Sequence, residues 1–218
     1  APIPRGADAV IPVEDTDVQD RAAGTPPPSD VKLFKSVDHH ENVRQRGADV
    51  RAGDTVLRQG RKLKPQDVAL LASLGYSSVD VFRKPRVALF SSGDELLDAS
   101  QPLEPGKIRD SNSHMLSGLI ESAGAEVEKL GTAKDNFESV KAALDKTSAL
   151  KADLILSSAG VSVGAFDYVK SVIESNGKMD FWRVNMRPGK PLAFGEYNAI
   201  PFIGLPGNPV SAFVGFEV

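Results

Sequence analysis

The chain has no cysteine. That excludes a disulfide framework, a thiol nucleophile and a thiolate metal site, and it suits a reducing compartment, so a cytoplasmic location is expected. Aromatic residues are scarce at 6%, so the core is expected to be built from Val, Leu, Ile and Ala. Positive charge is in no excess: 26 Lys and Arg stand against 29 Asp and Glu, which leaves no overall basic field for nucleic acid. No run approaches the roughly 18 apolar residues needed to cross a bilayer. The opening Ala1-Pro2-Ile3-Pro4-Arg5-Gly6 has no basic segment followed by an apolar one, so neither membrane insertion nor a targeting signal is expected. Both ends read as cuts through a longer protein. Ala1 enters on turn chemistry, and Pro209 to Val218 is a helix start with no stop.

What is present is a globular composition over 218 residues, enough for a large domain with a smaller companion. Three regions separate by pattern. In residues 1–38, Ala9 to Val13 and Val31 to Val37 are strand-like, and the Pro-rich stretch Gln19 to Asp30 between them reads as a loop. Residues 39–84 carry short extended pieces between glycines, a helix from Pro65 to Leu74 stopped by Gly75, and a strand over Val79 to Phe82. From residue 85 to 218 strands and helices alternate. Strands are expected at Arg86 to Ser91, Glu126 to Leu130, Asp153 to Ser157, Phe181 to Val184, Leu192 to Phe194 and Pro201 to Gly204. Helices are expected at Ser113 to Ala123, Phe137 to Leu150, Tyr168 to Ser175 and from Pro209. Such alternation specifies an α/β fold, a mostly parallel sheet with helices on both faces, joined to smaller β-rich and α+β pieces.

Ligands of open α/β sheets bind beyond the carboxyl ends of the strands. The segments that follow the strands are Ser91-Ser92-Gly93-Asp94-Glu95, Gly131-Thr132-Ala133-Lys134-Asp135, Ser157 through Asp167, and Gly204-Leu205-Pro206-Gly207-Asn208-Pro209. Each carries glycine, which lets backbone approach a ligand, and helix starts offer N–H groups to anions. Three of the four also supply carboxylates, which fits Mg²⁺ bridging them to phosphate oxygens. Taken singly, each feature has a plainer explanation. Asp94 caps a helical turn, Asp135 caps the helix at Phe137, Pro206 to Pro209 is a turn, and Asp110-Ser111-Asn112-Ser113 is a helix start. Convergence on one sheet edge is what favours a phosphate-bearing ligand. Arg187-Pro188-Gly189-Lys190-Pro191 adds a rigid turn with two cations that suits an oxyanion, against the simpler reading of an exposed basic turn. Arg44, Arg46 and Arg51 read as a solvated face or subunit contact, His39-His40 as loop and Trp182 as core.

Five of these motifs occur in this order in the MoeA and gephyrin E-domain family of molybdotransferases, which the chain resembles over essentially its whole length. They are Ser92-Gly93-Asp94-Glu95-Leu96, Gly106 through Asn112, Gly160-Val161-Ser162-Val163-Gly164, Pro188-Gly189-Lys190-Pro191 and Leu205 through Ser211. The resemblance implies insertion of molybdenum into adenylylated molybdopterin: molybdate enters the dithiolene, the adenylate bond is hydrolysed and AMP leaves. Residues 85–218 then match the molybdopterin-binding domain, 1–38 part of a β-rich domain and 39–84 part of an elongated first domain. By position, Glu95, Asp135 and Asp167 are the acidic residues tied to catalysis and Mg²⁺. The substrate side falls to Asp94, Gly160, Ser162 and Gly164, with Pro206, Gly207, Asn208 and Pro209. Lys190, Pro191 and Ser211 match molybdate positions, with Arg187 where lysine is common.

The resemblance also implies a homodimer in which Asp49 reaches the partner subunit's site, and an adenylyltransferase domain or partner. Ala159 stands where glycine is usual and Ser92 where threonine is. Family segments before Ala1 and a C-terminal β-domain lie outside this chain, so the chain by itself is expected to be inactive. The rivals are a molybdopterin adenylyltransferase or CinA-like nucleotide hydrolase of the same fold, and a gephyrin-like scaffold. The adenylyltransferases carry a Gly-Gly-Thr-Gly type of loop, where this chain has Ala159-Gly160-Val161-Ser162.

Overall fold

The computed structural model describes residues 3–22, 24–160 and 168–218. The chain divides into two compact units, Ala1–Val79 and Asp80–Val218.

The first unit is mostly turns. It has a short 3₁₀ turn, Val13–Asp15, and one helix, α1 (Pro65–Ser73). Pro65 sits where its missing N–H costs nothing, and Gly75 with φ +87° ends the helix as expected. Asp67 is buried beneath the Arg61 guanidinium, which donates to it from Nε at 3.1 Å and Nη2 at 2.9 Å. The guanidinium beside it holds the Asp67 carboxyl below the usual carboxylate range. The strands expected at 9–13 and 31–37 do not form a ladder: among the described residues Val13 opens the 3₁₀ turn, and the isolated bridge Thr16–Leu33 ties the second stretch to the residue after that turn rather than to 9–13. Pro12, and Pro26 to Pro28 between the two stretches, remove donors that a ladder would need. Val79 to Phe82 is likewise not a strand. Its hydrophobic side chains are exposed, Phe82 at 76% among them.

The second unit is built on a six-stranded sheet in the order β4-β1-β5-β8-β7-β6. The strands are β1 (Arg86–Ser92), β4 (Glu126–Ala133), β5 (Leu154–Ser158), β6 (Gly177–Phe181), β7 (Ala193–Tyr197) and β8 (Ile200–Leu205). A separate pair of two-residue strands, β2 (Leu96–Leu97) and β3 (Ile108–Arg109), runs parallel beside it. Strands β4, β1, β5 and β8 are mutually parallel, while β7 and β6 run antiparallel at one edge.

Side chains alternate along each strand, and this assigns the helices to faces. Phe90, Ile155 and Phe202 point to one face, under α3 (Phe137–Ala149) and α4 (Tyr168–Asn176), which contribute Val140, Leu144, Val172 and Ile173. Val87, Leu89, Leu156 and Leu205 point to the other. There α2 (Ser111–Ser122) and α5 (Pro209–Glu217) supply Leu116, Ile120 and Ala212. Trp182 is half-buried against the first of these layers, with Lys170 Nζ 5.9 Å from its ring centroid.

Most boundaries lie within one to three residues of expectation. The strand expected at Phe181 to Val184 is displaced upstream, to Gly177–Phe181. Gly177 permits that pairing, because a Cβ on it would overlap the Glu196 carbonyl of β7.

Sheet order locates the binding edge. After β1 the chain crosses through α2 to β4 on one side, then returns through α3 to β5 on the other side of β1. The carboxyl ends of β1 and β5 therefore flank a topological switch point, where a crevice opens.

Candidate functional site

The β1 turn and the segment after β4 are tied together carboxylate to backbone. Ser92 Oγ donates to Asp135 Oδ1 at 3.0 Å and the Asp94 amide donates to Asp135 Oδ2 at 3.3 Å. In return, the Asp135 amide donates to Asp94 Oδ1 at 3.2 Å. The Gly93 amide reaches the Ala133 carbonyl at 3.2 Å, and Lys107 Nζ donates to the Asp94 carbonyl at 2.6 Å. Neither aspartate caps a helix. Asn136 caps α3 by accepting from the Ser139 amide at 2.8 Å, and β2 rather than a helix follows Asp94.

Glu95 has no hydrogen bond or ion pair from its side chain among the described residues. Its carboxylate lies over the backbone of Gly93, where a Cβ would come within 2.7 Å of Oε2. A side chain at position 93 would push that carboxylate away. The Glu95 carbonyl accepts from the Ile108 amide at 2.8 Å, and the Leu97 carbonyl from the Asp110 amide at 2.9 Å, so β2 and β3 fix both residues.

Asp110, 8% exposed, caps α2 through Oδ1 to the Ser113 amide at 3.0 Å and accepts from Ser91 Oγ through Oδ2 at 2.6 Å. A cap of this kind stabilises by about 1 kcal/mol. Two residues on, Asn112 Nδ2 donates to Ser158 Oγ and to the Gly207 carbonyl, each at 2.9 Å. Asn112 thus joins α2, the end of β5 and the turn after β8. Its Oδ1 is buried without a partner among the described residues. Glu95, Asp110, Asn112, Ser158, Ala159 and Gly207 are among the residues around a cavity of about 160 Å³.

At the end of β5, Ala159 and Gly160 adopt φ of +67° and +71°. The Ala159 amide donates to the Leu205 carbonyl at 3.0 Å, and a Cβ on Gly207 would lie 3.3 Å from the Ala159 Cβ. Asn208 caps α5, accepting from the Ser211 amide at 3.1 Å, with Pro209 at the first helical position. The Arg187–Pro188 bond is cis, and the Val184 amide donates to the Lys190 carbonyl at 3.0 Å. Gly189 is buried, and a Cβ on it would stand 3.7 Å from the Ser211 carbonyl, which puts the turn beside α5. Arg187 and Lys190 are exposed and Pro191 is half-buried.

The described rim therefore gathers Asp94, Glu95, Asp135, Gly160, Pro206, Gly207, Asn208 and Pro209 at the carboxyl ends of parallel strands. Ser162, Gly164 and Asp167 lie outside the described residues. Asp49 belongs to the first unit, exposed and paired with Arg44 Nη1 at 3.0 Å. Among the described residues no group of three His, Asp or Glu is close enough to hold a metal ion, and no helix is long and apolar enough to cross a membrane. Asn112 and Lys107 were not anticipated as site residues. A signal for Asn112 existed: Asp110, Ser111 and Asn112 are three capping-type residues in a row, and a helix needs only one.

Residues 88–218 match the family model described as "Probable molybdopterin binding domain", and residues 1–75 match "MoeA N-terminal region (domain I and II)". The molybdopterin molybdenumtransferase of Haemophilus influenzae is 41% identical over 99% of this chain and 52% of its own length. That of Bacillus subtilis is 38% identical over 100% of this chain and 50% of its own length. Two structures of the MoeA protein from Pyrococcus horikoshii superpose with TM-scores of 0.77 and 0.74 at 32% and 31% identity. They cover 96% and 99% of this chain and 50% of each of those chains. A CinA structure from Thermoplasma acidophilum, 13% identical with a TM-score of 0.50 over 62% of this chain, shares the fold alone. The chain spans about half the length of the curated relatives it matches. With a molybdopterin-binding domain behind a MoeA-type N-terminal region, it belongs to the MoeA family of molybdopterin molybdenumtransferases.

Proposed function

We propose that the protein to which this chain belongs inserts molybdenum into adenylylated molybdopterin and releases AMP, with the strand-end rim of the second unit as the nucleotide-ester site. The observation that carries this reading is the Asp94–Asp135 lock with Glu95 beside it, at the carboxyl ends of β1 and β4. A locked pair of aspartates costs little reorganisation when a substrate arrives. Glu95, whose carboxylate is uncommitted, is then the group placed to take a proton from the water that cleaves the phosphoanhydride. Water adds to phosphorus, the anhydride P–O bond breaks, and AMP departs.

Mg²⁺ takes one or two carboxylates and completes its shell with phosphate and water. Glu95 and Asp135, with Asp167, offer that donor chemistry. When bound, the ion would neutralise phosphate charge. Asp94, Gly160, Ser162, Gly164 and Pro206 to Pro209 would line the ester. Arg187, Lys190, Pro191 and Ser211 would receive molybdate, the two cations matching its charge. A homodimer with Asp49 turned toward the partner, an accessory adenylyltransferase and division of the first region at residues 38 and 84 belong to the same reading.

The test is incubation of the protein, expressed from its whole gene, with adenylylated molybdopterin, molybdate and Mg²⁺. AMP release that requires molybdate, and that falls about 100-fold or more in Asp135→Asn with unchanged melting temperature, supports the assignment. ATP consumption without molybdate would indicate the adenylyltransferase chemistry instead, and undiminished activity of the variant would remove Asp135 from the site.

A further inference from the structure

We propose that Lys107 is a positioning residue for the nucleotide ester: it holds and polarises the Asp94–Glu95 peptide so that the Glu95 N–H donates to a phosphate oxygen. The inference rests on the reading above, which brings a nucleotide phosphate to this rim.

The geometry begins at the Asp94 carbonyl. Lys107 Nζ donates to it at 2.6 Å, the short distance of a charge-assisted bond. Lys107 is half-buried and stands one residue before β3, where the Ile108 amide donates to the Glu95 carbonyl at 2.8 Å. Two consecutive residues of the returning chain thus take two consecutive carbonyls of the β1 turn. The Asp94 amide is held separately, by Asp135 Oδ2 at 3.3 Å. The peptide that joins Asp94 to Glu95 is therefore fixed on either side and bears a cation on its oxygen.

Its nitrogen is unused. The Glu95 amide donates to nothing among the described residues, and Glu95 is exposed. In a trans peptide the N–H points opposite to the carbonyl, so this donor faces away from Lys107. An ammonium on the oxygen polarises the whole group and makes its N–H a stronger donor.

Charge gives the arrangement its use. Asp94, Glu95 and Asp135 bring three carboxylates together, and among the described residues none of them is ion-paired with a lysine or arginine. A phosphate arriving at such a rim meets like charge. Lys107 supplies the opposite sign through the backbone, and so leaves the carboxylate oxygens open for the ion and the water assigned to them. Glu95 then carries both the donor that holds the phosphate and the carboxylate that takes the proton from water.

The test labels aspartate with ¹³C at the carbonyl and glutamate with ¹⁵N, in the protein expressed from its whole gene. The pair of labels marks the Asp94–Glu95 peptide, the single Asp-Glu step in this chain. AMP is titrated in the presence of Mg²⁺, and affinity is measured by calorimetry. The Glu95 amide proton of wild type is expected to move downfield as AMP binds, a readout independent of any variant's folding. Lys107→Met is expected to bind AMP about tenfold more weakly, the worth of one hydrogen bond to a charged group. Its melting temperature should be unchanged and its Glu95 displacement at saturation smaller.

A Glu95 amide that AMP leaves unmoved, or that adenosine displaces equally, would overturn the role of this peptide. Undiminished AMP affinity in folded Lys107→Met would overturn the role of the lysine. Either result leaves the rim as the nucleotide site. Failure of wild type to bind AMP at all would instead remove the underlying reading and this inference together.

Discussion

Ala159 is a position at which backbone geometry and side chain disagree. It adopts φ +67° at the end of β5, in the left-handed region, next to Gly160 at +71°. Left-handed backbone costs a residue with a Cβ about 1–2 kcal/mol. Glycine at that position gives back about 0.4–1 kcal/mol through the greater freedom of its unfolded chain. The difference leaves Ala159→Gly more stable than wild type by about 0.5–1 kcal/mol. A second perturbation checks the origin of the effect. In Gly207→Ala the new methyl would stand 3.3 Å from the Ala159 Cβ, tighter than ordinary contact, so it destabilises beside Ala159 and less beside a glycine. The two substitutions should couple by at least about 0.5 kcal/mol. The assay is urea unfolding followed by the fluorescence of Trp182, the single tryptophan, which packs in the same unit and reports on it. Destabilisation by Ala159→Gly would mean that the left-handed backbone carries no strain there, and strict additivity with Gly207→Ala that the two methyls do not meet.

Other outcomes follow from buried and paired side chains elsewhere in the second unit. Tyr197 is fully buried and donates to Asp145 at 2.6 Å; burial, aided by that bond, pushes its pKa well above the usual value. A raised folded-state pKa means its contribution is complete below about pH 10 and is lost as pH rises further. The melting temperature should therefore fall at alkaline pH, and Tyr197→Phe should flatten that limb while costing about 1 kcal/mol at neutrality. Asp153 shows the opposite sign: the Arg83 guanidinium, both contacts at 2.6 Å, and the Arg86 amide hold its carboxyl well below the usual range. Its stabilisation is present above about pH 4 and lost as pH falls below that, so acid unfolding curves of Asp153→Asn should be flatter than those of wild type. Leu116, with no exposed surface in the α2–α5 layer, should cost about 2–5 kcal/mol on replacement by alanine. A shift in urea midpoint below that range would mean that the layer repacks.

The sheet was legible in sequence wherever burial on both faces forced continuous apolar runs, as in Val87 to Phe90 and Leu154 to Leu156. Its antiparallel edge was less so, because β6, Gly177-Lys178-Met179-Asp180-Phe181, is mostly exposed and shows no such run. The first unit misled for a related reason. Its alternating Val31 to Val37 has the period of a strand, but a period cannot show whether a partner strand exists, and here one bridge is all that forms among the described residues. At the site, glycine and carboxylate loops could be placed on one edge because strand order implies it. Which aspartate would cap and which would lock could not. That depended on Asn136 taking the α3 cap and leaving Asp135 to Ser92 and Asp94. Asn112 read only as part of a helix start and a motif, and its tethering role was not legible because its partners, Ser158 and Gly207, lie 46 and 95 residues away.

The two rungs between β2 and β3 have a consequence for how this region tolerates change. They clasp the chain on either side of residues 98–107, so Glu95 and Asp110 are gripped at the neck of an excursion that both leaves and returns there. Lengthening such a surface excursion costs little closure entropy. Insertions among Ser100 to Glu104 are thus free to accumulate, and the acidic side chain at the entrance and the helix cap at the exit need not shift relative to each other.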